Sequence, residues 1–206
     1  VKVAGLNCAT CHAGTVRDAP NGPRRVVAGM PANRMDLQGY ARFLTACAQD
    51  PRFNASTLLE AMANERDGPG FFDRLTYRLF IIGRTRDGIL ERARENAWFD
   101  RRPPFGPGRV DTFNPYKVLF QFDMSQDDTV GTVELPSLWN QRMRQGMWLH
   151  WDGNNNSVDE RNKSAAIGAG ASEESLDLSA MKRVEDWIWN LPAPKFPAER
   201  IDAGRA

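Results

Sequence analysis

Cys8-Ala9-Thr10-Cys11-His12 is the stretch around which the rest of the chain organises. Its spacing is that of the C-x-x-C-H signature for covalent attachment of a c-type haem. Two thiols three residues apart on a helical turn can each form a thioether to one haem vinyl group. The histidine that follows can then offer its imidazole to the iron as proximal ligand. Two other chemistries use closely spaced cysteines. A thioredoxin-like redox pair expects a βαβ context, which the surrounding pattern lacks. A zinc site needs two further ligands, and beyond the motif only Cys47 and His150 are available as Cys or His. Covalent haem, one per chain, is the expectation. It places maturation outside the cytoplasm, in the periplasm or beyond the cell.

The composition sharpens this reading. The chain has 206 residues but only two histidines, so any imidazole on the other face of the iron must be His150. A strong sixth ligand makes an electron carrier, and an open or displaceable one makes a catalyst or gas binder. Met30, in Gly29-Met30-Pro31, resembles the Met-Pro step around the distal methionine of small electron-transfer cytochromes c. It follows His12 by only 18 residues, less than those proteins usually allow. Met124, Met143 and Met147 are further thioethers, although methionine more often fills gaps in a core. Cys47 sits in an apolar-rich stretch and reads as a buried, unpaired thiol. With 27 basic and 26 acidic residues the formal charge is +1, which argues against nucleic acid or an anionic membrane as the main partner. No apolar run approaches the ~20 residues that span a bilayer.

Helical periodicity dominates the flanks. Residues Asp36 to Gln49 place Leu37, Tyr40, Ala41, Leu44 and Ala48 on one face, and Asp50-Pro51 ends that helix. A second helix runs from Asn54, its N-cap, to Glu65, with Leu58, Leu59, Met62 and Ala63 inward. A third follows Gly68-Pro69-Gly70 and carries Phe72, Leu75, Leu79, Ile82, Leu90, Ala93 and Ala97, with Gly83 and Gly88 placed to bend it. The last, Ser179 to Asn190, puts Met181, Val184, Trp187 and Ile188 on one stripe before Leu191-Pro192 ends it. Between lies Asp100 to Gly170, rich in Gly, Pro and Asn. A coil this long inside a domain is expected to wrap a site or cofactor.

Within that coil, Glu134-Leu135-Pro136-Ser137-Leu138-Trp139-Asn140, then Leu149-His150-Trp151-Asp152-Gly153, then Ser157-Val158-Asp159-Glu160 follow one another in an order that has a parallel. Together with the upstream C-x-x-C-H, they resemble the N-terminal haem domain of the di-haem cytochrome c peroxidase superfamily, which includes the MauG-type enzymes and the rubber oxygenases. Gly106-Pro107-Gly108-Arg109-Val110-Asp111-Thr112-Phe113-Asn114 looks most like the rubber-oxygenase side. The resemblance implies that Trp151 lies between two haems and relays electrons. It places His150, where the family more often has another aromatic, near the distal face as sixth ligand or pocket base. The flanking Trp148 and Trp151 are expected to shelter it.

Two departures from the family pattern matter. The peroxidases carry a Gln and, ten residues on, a catalytic Glu; those positions here are Arg161 and Ala171, with Glu173 and Glu174 nearby. The histidine that ligates the resting peroxidases has no counterpart between His12 and His150, unless Met30 replaces it. No second C-x-x-C-H is present. Val1 in place of Met and the Pro-rich tail from 192 to 206 read as a piece of a longer chain whose tail leads to a second haem domain. The expected fold is mostly α, a cytochrome c-like haem domain over 1–191 with long irregular loops wrapping the haem. The expected function is a haem oxidoreductase of peroxidase or oxygenase type, with a second haem domain or redox protein as partner. The alternative is a six-coordinate electron-transfer cytochrome c.

Overall fold

The computed structural model describes residues 6–65, 68–169 and 171–195. The tail read as a linker lies outside the described residues from 196 onward. The chain is mostly helical, as its periodicity predicts, and it forms two compact units that interleave in sequence. One contains the described residues of 1–11 and 32–135, the other those of 12–31 and 136–206. The division falls just before His12, at the end of the short helix α1 (Cys8–His12).

The first unit is helical. Helix α2 (Leu37–Gln49) starts at Asp36, whose carboxylate accepts the Gly39 N–H at 2.8 Å. Helix α3 (Ala55–Ala63) starts in the same way at Asn54, whose side chain accepts the Thr57 N–H at 3.0 Å. The third helix begins after Gly70 but is not uniform. Helix α4 (Phe71–Thr76) passes through a π-helical turn, Tyr77–Ile81, into α5 (Ile82–Glu95). The irregularity therefore precedes Gly83 and Gly88. A π turn inserts an extra residue and rotates the face that follows it. Ile82 is buried, whereas Phe72, Leu75 and Leu79, expected on the same inward stripe, are exposed, as is the whole of α4. Ala63 and Tyr40 also face outward, and Cys47 is half-buried rather than enclosed.

Helix α2 packs on α5, where Arg86 Nε donates to the Ala48 carbonyl at 3.1 Å. Ala48, Leu59, Ile82, Trp98 and Phe105 make the core. A 3-10 turn (Ala97–Arg101) leads to Arg102, whose side chain is 2% exposed. Its guanidinium donates to the carbonyls of Trp98 (3.0 Å), Thr129 (2.8 Å) and Asp127 (2.7 Å) and lies 4.8 Å from the Trp98 ring centroid. It thereby ties down part of the coil expected to be irregular. Strands β3 (Arg109–Asp111) and β4 (Thr132–Glu134) pair antiparallel, and α6 (Asn114–Leu119) lies between them in sequence.

The second unit opens with an antiparallel hairpin, β1 (Ala13–Arg17) and β2 (Arg24–Ala28), with Ala13 opposite Ala28. Helices α7 (Val158–Gly168) and α8 (Leu178–Trp189) pack on each other. Helix α7 is capped by Ser157, whose hydroxyl accepts the Glu160 N–H at 3.3 Å. Along α8 only Ile188 of the expected stripe is fully buried, and Trp187 is 58% exposed.

Candidate functional site

The site grows from α1 and the hairpin. The i, i+3 spacing puts Cys8 and Cys11 on one face of a single helical turn, with Cys8 exposed and Cys11 half-buried. His12 ends that turn. Its Nδ1 lies 2.8 Å from the Pro136 carbonyl oxygen. A carbonyl can only accept, so Nδ1 carries the proton and the Nε2 lone pair is left for a metal. Burial pushes the His12 pKa below the usual value, the Pro136 bond opposes that, and the charge of Arg161 lowers it further. The ring is therefore neutral near pH 7, the form that ligates.

The segment after Pro136 is fastened to the end of the hairpin, at Ala28 and Gly29. The Gly29 N–H donates to the His12 carbonyl at 2.9 Å, and the Leu138 N–H donates to the Gly29 carbonyl at 2.8 Å. Trp139 Nε1 donates to the Ala28 carbonyl at 2.9 Å. The Pro-Ser-Leu-Trp-Asn stretch thus supplies the acceptor that orients His12. Sequence reasoning flagged the stretch by resemblance but missed this role. Gly14 leaves room for Met30: a Cβ there would lie 2.8 Å from the Met30 sulfur and 2.5 Å from the Pro31 carbonyl oxygen. Met30 is thus packed against the hairpin at Gly14, which lies two residues beyond His12.

His150 lies in the same unit, at a left-handed backbone position (φ 63°). The loop around it is clamped by the Leu149 N–H to the Asn155 carbonyl at 2.7 Å and the Gly146 N–H to the Asn156 carbonyl at 3.0 Å. Leu149 and Asn155 are buried. The tryptophans do not shelter His150: Trp148 is 73% and Trp151 58% exposed, and His150 is exposed as well. The turns at His150 and Gly153 send Leu149 inward and its neighbours outward. Partial burial is the largest effect lowering the His150 pKa; Asp152 opposes it, Arg161 adds to it and Glu160 opposes it. The carboxylates whose charges act on His150 include Asp152 and Glu160; Glu173 and Glu174 lie on a 3-10 turn after α7. Met143 and Met147 are exposed, and Met124 is half-buried in the first unit. Arg161 is half-buried on the first turn of α7, and Ala171 follows that helix, half-buried too.

The donor set suits a covalent haem better than its rivals. Burial, then Cys8, pushes the Cys11 thiol up, the opposite of what a redox-active dithiol needs. Among the described residues no group of three or more His, Cys, Asp or Glu side chains is arranged to hold a metal ion by itself, so the four ligands of a zinc site do not assemble. Two unmodified thiols on one turn beside an imidazole with a free Nε2 match thioether attachment and proximal ligation. Comparison with known protein families, curated proteins and solved structures finds no match to this chain.

Proposed function

We propose that this chain is a c-type haem oxidoreductase domain, with a cytochrome c-like arrangement in which long irregular loops wrap the haem. Cys8 and Cys11 form the thioethers and His12 is the proximal ligand. The observation that carries the reading is the His12 Nδ1 contact to the Pro136 carbonyl at 2.8 Å, which selects the tautomer and aims Nε2. Outer contacts of this kind fix ligand orientation and raise ligand basicity. Bound haem supplies one-electron chemistry and a site for peroxide or dioxygen. His150 is the sixth ligand or the base that moves a proton on the distal side, with Asp152 and Glu160 opposing the depression of its pKa. Trp151, exposed on the same loop, passes electrons to a neighbouring haem domain or redox protein. Maturation of C-x-x-C-H places the protein in the periplasm or outside the cell.

The test is a pyridine haemochrome assay on chain produced with c-type maturation. One covalent haem per chain is expected, with Cys8→Ser and Cys11→Ser each leaving one thioether and the double variant none. Absence of covalent haem overturns the reading. The ferric spectrum then separates catalyst from carrier. High-spin iron that responds to peroxide or cyanide makes a catalyst. A low-spin signal lost on His150→Ala makes an electron-transfer cytochrome c with His150 as sixth ligand.

A further inference from the structure

The long helical run of the first unit begins with its apolar side turned away from the protein. Helix α4 and the π turn after it contain Phe71, Phe72, Leu75, Leu79, Phe80 and Ile81, all exposed, with Phe71 at 76% and Phe72 at 80%. The inward side of this segment is marked by Tyr77, which is half-buried, and by Ile82, which is buried; the π turn packs on α3. At about 100° per residue, Phe71, Phe72 and Leu75 stand about 120–160° around the helix from Tyr77, toward solvent. The Phe71 and Phe72 rings meet edge to face with centroids 5.6 Å apart, one apolar knob at the start of the helix.

Cations border this row. Arg74 follows Phe71 by three residues and Arg78 follows Leu75 by three, so each guanidinium group neighbours an apolar side chain of the row. Both arginines are exposed, and neither has an ion-pair partner among the described residues. Asp73, the one acid between 71 and 84, falls about 40° from Tyr77, on the inward side. A contiguous apolar patch of this kind marks an interaction site. No residue of α4 is buried, so the segment is a ridge, which needs no matching groove to enter a fluid apolar layer. Long basic side chains beside it then reach the phosphates above that layer. We propose that α4 and the π turn dock this chain on an anionic phospholipid bilayer. The Phe71–Phe72 knob, Leu75 and Leu79 sink below the headgroups, and Arg74 and Arg78 stay among the phosphates. A helix used this way lies on the bilayer and does not cross it, in keeping with the absence of a spanning helix among the described residues. The +1 charge of the whole chain averages over this local arrangement. The proposal does not depend on the haem reading.

The experiment sediments the full chain with two kinds of vesicle, phosphatidylcholine alone and equal parts phosphatidylcholine and phosphatidylglycerol. Binding to the mixed vesicles is expected, about tenfold weaker to phosphatidylcholine alone and weaker as salt rises. Phe72→Gln combined with Leu75→Gln weakens it about tenfold, and Arg74→Gln combined with Arg78→Gln about fivefold or more. All four side chains are exposed, so both double variants keep the parent urea midpoint. Should the first double variant fail to fold, the arginine pair and the comparison of the two lipids decide alone. Absence of binding, equal binding to both vesicles, or binding that survives Phe72→Gln with Leu75→Gln overturns the proposal. So does a concentration-dependent dimer without vesicle binding that the same double variant makes monomeric, because a second copy then covers the row.

Discussion

Gly29→Ala tests whether the hairpin and the Pro136–Asn140 segment are locked together at His12. Gly29 is buried at φ +73°, its N–H held by the His12 carbonyl and its carbonyl by the Leu138 N–H. A Cβ at this position would sit 2.8 Å from Leu191 Cδ2, 2.8 Å from Trp139 Cδ1 and 2.9 Å from Trp139 Nε1. Trp139 cannot retreat freely, because its Nε1–H is committed to the Ala28 carbonyl. Left-handed backbone costs a residue with a Cβ about 1–2 kcal/mol, and overpacking adds about 1–3 kcal/mol. The smaller entropy of the unfolded alanine chain returns about 0.4–1 kcal/mol. A net loss of about 2–4 kcal/mol is expected. Gly146→Ala is the internal control in the same unit: φ is +82°, but nothing lies within 4 Å of its Cβ. It carries the backbone cost alone, a net of about 1 kcal/mol. Urea unfolding of both variants, with unchanged m, measures the difference. If Gly29→Ala is no more destabilising than Gly146→Ala, the close packing of Trp139 and Leu191 on Gly29 is refuted.

Two further outcomes are expected. Arg102→Leu leaves three backbone carbonyls without a donor and loses the stack on Trp98, so it destabilises the protein by about 3 kcal/mol in urea or thermal unfolding. A loss under about 1 kcal/mol contradicts the anchoring of the 120s coil by this residue. Asp177 caps α8 by accepting the Ala180 N–H at 2.8 Å, and that bond, followed by the one from Ser179, holds its carboxyl below the usual range. A depressed carboxyl pKa means stability present above the unfolded value and lost as pH falls through the folded one. Asp177→Ala therefore lowers the urea midpoint more at pH 6 than in acid below the folded pKa of the carboxyl, whereas Asp177→Asn, a cap without a titrating group, keeps the same midpoint shift at both.

Much of the fold was legible because local physics made it so. Asp36 and Asn54 announce α2 and α3 as side chains that accept an orphan N–H, and Gly68-Pro69-Gly70 announces the start of α4. The hairpin also had a signal that went unused: Pro20-Asn21-Gly22-Pro23 is a turn between Thr15-Val16-Arg17 and Arg24-Arg25-Val26-Val27. The π turn had none, since its effect is a rotation between faces that each look helical alone. The inward stripe of Phe72, Leu75 and Leu79 failed for a different reason: every residue of α4 is exposed, on all its faces.

By itself the sequence determined which groups are available: two thiols at i, i+3, an adjacent imidazole, and one other histidine. Those are covalent facts, and their spacing already implies one side of one turn. Tertiary structure alone decided what those groups can do. Pro136 stands 124 residues from His12, and only folding brings its carbonyl to Nδ1 and so leaves Nε2 free.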